Sequence, residues 1–157
     1  MSTLYVDNLQ PNLGSSVLIP GHVVGFQTAN HNSQQTITST SFVSIGLSLS
    51  YTAKSATSKL LLSWSIPVEL YDAGFNSEVI GEMVLYKDGT SIGNTYQTIT
   101  TMQALQRKGS NANTQVVLDA GDTSSHTYTV YAKVSADQFT VFRYNLTGHL
   151  NVMEIAQ

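Results

Sequence analysis

The sequence contains no cysteine, which excludes disulfide staples, thiolate zinc sites and cysteine nucleophiles. Charge is scarce: 11% of residues are charged and the formal net charge is -3. A nucleic-acid footprint needs clustered Lys and Arg, and Arg107-Lys108 is the one adjacent basic pair, so no nucleic-acid partner is expected. No apolar run reaches the roughly 18 residues that a membrane helix requires, so no membrane insertion is expected. The N-terminus lacks the basic-then-apolar layout of a signal peptide, and release by lysis would fit a protein found outside cells. No GxSxG, P-loop or HExxH pattern occurs, and no repeat of fixed period points to a propeller or solenoid.

Hydroxyl side chains are abundant instead, with 37 Ser and Thr among 157 residues, a length that suits one domain with one core. The stretch from Phe42 to Leu70 organises the chain. Val43, Ile45, Leu47, Leu49, Tyr51 and Ala53 alternate with small polar residues, as a strand with one oily and one wet face demands. After a polar turn from Lys54 to Lys59, alternation resumes on Leu60, Leu62, Trp64, Ile66, Val68 and Leu70. The two halves read as an antiparallel pair facing one core, with Trp64 as its anchor. Strands are further expected near 22–28, 36–40, 79–87, 92–101, 114–119, 127–135, 139–144 and 150–155. Asp88-Gly89 marks the strongest hairpin turn, and 29–35 and 102–113 read as loops. No segment makes a convincing helix. The expectation is an all-β, antiparallel jelly-roll sandwich of about 8–10 strands.

Residues 1–21 differ from the rest. Leu4, Val6, Leu9, Val17, Leu18 and Ile19 are too apolar for a free tail, and Pro20-Gly21 should uncouple them from a domain spanning 22–157. They read as an extended arm that docks on its own domain or on another protein. The four histidines are scattered, and His149, alternating with Met153 and Ile155, suits a packed or hydrogen-bonded role. Glu69, Asp72, Glu78 and Glu82 gather near one hairpin as a solvated strand end, with a glycosidase pair or a calcium site as the alternatives. Asp122 and Ser124 beside Gly121 suit an Asx turn. Asn145-Leu146-Thr147 fits the glycosylation acceptor pattern, read as coincidence. No catalytic residue, metal ligand or cofactor is assigned. Tyr71, Phe75 and Asn76 form the best contact loop, since exposed aromatics and amides suit sugar or protein.

Several blocks carry a resemblance. "STLYVDNLQPNLGSSVLIPGHVV", "TITSTSFVSIGLSLSYTAKSATSKLLLSWSI", "LYKDGTSIGN", "DAGDTSSHTYTVYAKVS" and the terminal "LNVMEI" resemble virion proteins of marine and cyanobacterial phages, often called tail fibres. The likeness covers almost the whole chain, but its motifs are structural and name no active site. It implies a trimeric jelly-roll knob similar to C1q or tumour-necrosis-factor heads, in which Leu150, Val152, Met153 and Ile155 would lie on the last strand near the three-fold axis. A non-enzymatic virion component follows: a short homotrimeric fibre or spike, docked on other virion proteins through its arm and facing a host glycan or protein. Only residues 1–21 precede the domain, with no fibrous shaft, so a capsid decoration or cement protein remains the second reading.

Overall fold

The computed structural model describes residues 19–74, 78–92, 97–100 and 107–157. Among the described residues eleven strands follow one another: β1 (Val23–His31), β2 (Gln35–Ile37), β3 (Val43–Thr52), β4 (Lys59–Tyr71), β5 (Ile80–Lys87), β6 (Thr90–Ser91), β7 (Gln97–Thr100), β8 (Arg107–Asp119), β9 (Ser125–Val134), β10 (Gln138–Val141) and β11 (Gly148–Ile155). They form two antiparallel sheets. In the first, β8 lies along one side of β4 over its whole length. On the other side β11 pairs with Lys59–Ser65 of β4, and β10 pairs with Val68–Tyr71. β10 and β11 are thus two pieces of one interrupted strand. β1 and β2 repeat the pattern one position further out, on β11 and β10 respectively. In the second sheet β9 lies between β3 and β5, while β6 and β7 both border the far side of β5.

Counting each interrupted strand once leaves eight strands in two sheets of four. Their order by chain position is first–eighth–third–sixth in one sheet and second–seventh–fourth–fifth in the other. That is a jelly roll, as the alternation led one to expect.

The inward side chains make the core. On β4 Leu60, Leu62, Trp64, Ile66, Val68 and Leu70 are all buried, and they meet Ile45, Leu47, Leu49 and Tyr51 of β3 and Tyr128, Val130, Ala132 and Val134 of β9. Outward side chains of the second sheet pair by hydroxyls instead, Ser48 with Thr129 and Ser50 with Thr127, each at 2.9 Å. Asp88 (φ 49°) and Gly89 (φ 80°) both take the positive φ that a tight hairpin of this type requires.

Three expectations need correction. Residues 107–113 are strand, not loop, because the backbone of β8 pairs with β4 along the entire edge, although Ala112 is the one fully buried side chain in that stretch. Ala29 to His31 continue β1, since their backbone completes the edge of β11. The strand expected over 139–144 ends at Val141, because Phe142 turns left-handed (φ 54°) to bury its ring.

Candidate functional site

Where β10 gives way to β11, the ladder beside Ile66 and Pro67 of β4 is open. Proline has no N–H to offer a ladder and suits such a gap. The chain fills the gap with a single 3-10 turn, Arg143–Asn145, in which Tyr144 (φ 57°) and Asn145 (φ 56°) are also left-handed. Three such residues in four positions are unfavourable by about 1 kcal/mol or more each, so the surroundings must hold them. They do so from both sides. Phe142 is sunk in the core with its ring edge-on to His31, 4.7 Å between centroids. On the outside, Gln34 clasps the turn: its backbone N–H donates to Asn145 Oδ1 (3.2 Å), and its side-chain oxygen accepts the Tyr144 N–H (2.7 Å).

The turn lifts Arg143 and Tyr144 above the outer face of the first sheet, over a row that runs Thr36, Thr140, Glu69, Gly109 across the strands. The next row holds Gln138, Tyr71 and Arg107. Together with Gln34 these residues, Gly109 and Tyr71 excepted, line an open, polar basin of about 420 Å³. Its floor is Glu69, only 4% exposed although it points outward. Two guanidiniums cover it: Arg107 Nη1 donates to Oε1 at 2.9 Å, and Arg143 Nη2 lies 2.5 Å from Oε2. Arg107 rests over the Tyr71 ring (4.2 Å) and Arg143 over the Tyr144 ring (4.3 Å). Each arginine is therefore fixed by one carboxylate oxygen and one aromatic face. A Cβ at Gly109 would stand 2.9 Å from Arg143 Nη1, so a side chain there would push the guanidinium aside.

At the other end of the same face the chemistry changes. Phe26, Met153, Leu61 and Val117 stand in register across β1, β11, β4 and β8 as one apolar row. Its ends are open to solvent, Phe26 at 61% and Val117 at 59% exposed, with Val23 beside them. Of the strand expected at a three-fold axis, Leu150 and Val152 point into the core, whereas Met153 and Ile155 are half-buried on this outer face.

Of the arm residues, Ile19 is half-buried and the other five lie outside the described residues. The Gly21 N–H donates to the Ala156 oxygen (2.8 Å) and the Ala156 N–H to that of His22 (2.9 Å), so the chain enters the domain beside its last strand. Among the contact-loop residues, Tyr71 lies under Arg107 at the basin's rim; Phe75 and Asn76 are outside the described residues. His149 Nδ1 is 2.8 Å from Asn30 Oδ1, a hydrogen-bonded histidine. The Asx turn is present, with the Ser124 N–H on Asp122 Oδ1 at 2.6 Å.

His126 holds a cluster that the reading by spacing passed over. Its Nδ1 is 2.6 Å from Asp88 and its Nε2 is 3.0 Å from Asp122. The bond to Asp88 raises its pKa most; burial and the Lys87 charge oppose the rise, and Asp122 adds to it. Both aspartates are lowered, Asp88 first by the Thr127 N–H and Asp122 first by the Ser124 N–H, each then by His126. Among the described residues no group of three His, Cys, Asp or Glu could hold a metal ion.

No protein-family model and no curated protein matches the chain. Solved structures are similar to it, two among them of a virus and its particles. One is a structure of the infectious bursal disease virus Gx strain, 14% identical, covering 98% of this chain and 37% of that one, with a TM-score of 0.49. The other is the 2.6 Å structure of infectious bursal virus derived T=1 particles, 11% identical, covering 98% and 45%, with a TM-score of 0.30. The chain thus spans under half the length of each.

Proposed function

We propose that this chain is a non-enzymatic structural protein of a phage virion, a short fibre or spike with a trimeric knob. The sequence resemblance over almost the whole chain supports the virion assignment. The apolar row Phe26, Met153, Leu61, Val117 is the observation that carries the knob. Its two exposed ends sit on opposite edges of one sheet, on β1 and on β8. A contact of one copy's β1 edge with the next copy's β8 edge is head-to-tail, and such a contact closes into a three-membered ring when each copy is turned by a third of a circle. The same contact covers two open sheet edges, which otherwise invite uncontrolled pairing. Four acids already have partners: Glu69 two arginines, Asp88 and Asp122 a histidine, and Glu154, on β11, the Lys54 N–H and the Tyr51 hydroxyl. That favours a structural role for them over acid–base work.

In this reading Leu4, Val6, Leu9, Val17, Leu18 and Ile19 dock the arm on the particle, and the knob faces the host. Two measurements test it. Light scattering should give a homotrimer, and a stable 17.0 kDa monomer at micromolar concentration would overturn the knob. A chain starting at Gly21 should still fold and trimerise but fail to attach to the particle. Attachment retained by that truncation would move the docking surface to the domain and favour a capsid decoration protein.

A further inference from the structure

We propose that the basin over Glu69 binds an acidic saccharide, a sugar unit that carries a carboxylate. The proposal deepens the reading of the knob as a host-facing head and rests on it for its biological role. Two guanidiniums face one carboxylate, which leaves one positive charge in excess within the basin. Arginine offers a planar fork of five N–H donors; Glu69 takes one nitrogen of each fork, and the Tyr144 hydroxyl also accepts from Arg143 Nη2 at 2.6 Å. The remaining edges suit a second planar oxyanion, held bidentately. Stacking on Tyr71 and Tyr144 fixes both forks beforehand, so little side-chain freedom is lost on binding.

The rest of the lining suits a sugar ring. Thr36 and Thr140 bring hydroxyls and Gln138 an amide, groups that both donate and accept. Tyr144 is 70% exposed, and the left-handed turn holds it at the edge of the basin as an apolar face for ring C–H groups. The volume of about 420 Å³ lies in the range of small-molecule sites. An apolar ligand would strand these polar groups, and a polyanion would find only one uncompensated cation.

Titration of the full chain with oligomers of glucuronate and galacturonate, and with N-acetylneuraminate, tests this by calorimetry and saturation-transfer NMR. Glucose oligomers and acetate serve as the controls. At least one acidic sugar should bind, ten-fold or more tighter than the neutral oligomer, with acetate alone weaker still. Arg143→Gln and Tyr144→Ala should each weaken binding at least ten-fold. Gly109→Ala keeps every charge but displaces the Arg143 guanidinium, and it should weaken binding several-fold while the melting curve confirms a folded protein. Equal binding of acidic and neutral sugars, binding indifferent to all three variants, or no binding by any acidic sugar would each overturn the proposal. Light scattering on the same samples separates the two readings. A monomer that binds sugar sinks the trimer alone, and a trimer that binds none sinks the basin alone.

Discussion

Along β4 the outward side chain at Leu61 belongs to an apolar row, and the one at Glu69 belongs to a charged basin. Eight residues at about 3.3 Å each put them roughly 26 Å apart on one face of one sheet. Their inward neighbours are of one kind, Leu60 and Leu62 at one end and Val68 and Leu70 at the other, all buried. The backbone beneath them differs. Under the apolar row all four strands are paired, with one β-bulge beside it between Val23 and Gly25, whereas the basin sits where two of the four are interrupted. Continuous ladders give a flat surface that another sheet can cover. The break raises two long side chains above the sheet and makes a concavity. One strand thereby serves two kinds of partner, and the core does not distinguish them.

The harshest way to break this comparison is from below. Trp64 is 2% exposed on β4, midway between the two ends. Trp64→Ala should cost about 3–5 kcal/mol and impair self-association and sugar binding together. A melt within a degree or two of wild type would mean that the shared core is not what supports them. Next comes Arg143→Ala, which leaves Glu69 Oε2 buried without its cation and should cost about 2–3 kcal/mol in chemical denaturation. Adding Glu69→Gln should restore part of the loss, and the trimer should survive both changes. Val117→Asp sharpens the opposite side. It places a charge at an exposed edge of the apolar row and should leave monomer stability within about 0.5 kcal/mol. Trimer association, followed by analytical ultracentrifugation, should weaken at least ten-fold while sugar binding persists.

The smallest effect concerns pH. His126, at the same end of the sandwich as the apolar row, has a raised pKa when folded, so its contribution is complete below the ordinary value of 6.5. It fades as pH rises through the raised value. Asp88 and Asp122 are lowered, so theirs is complete above the ordinary 3.8 and fades as pH falls through the lowered values. Melting temperature should therefore be highest between about pH 4 and 6.5, and His126→Gln should abolish the decline on the alkaline side. Basin binding should not follow that decline.

Strands with one wet and one oily face were legible because burial forces period-two alternation, and β3, β4, β9 and β11 carry it plainly. Residues 107–113 were not, because Arg-Lys-Gly-Ser-Asn-Ala-Asn has almost no apolar member and is extended only through pairing with β4. The basin was illegible for a related reason. Glu69, Arg107, Thr140 and Arg143 come from separate strands and one turn, and no spacing links them. A faint signal did exist. Glu69 and Tyr71 continue an outward face begun by hydroxyls, and a long acidic side chain there needs a cationic cover. His126 was missed although Asp122 lies four residues before it, because the other half of the clasp comes from the Asp88 hairpin.

The interruptions at residues 32–34 and 142–147 lie side by side; beyond them β10 keeps its own register against β4, and β2 its own against β10. Neither break has to preserve its length for the strands beyond it to align. Doubling a surface loop adds only about 0.6 kcal/mol of closure entropy. The exposed residues of this corner, 32–34 and 144–147, can therefore vary in number and kind while Phe142 stays anchored in the core, so lineages that differ in what they recognise should differ first there, between β1 and β2 and between β10 and β11.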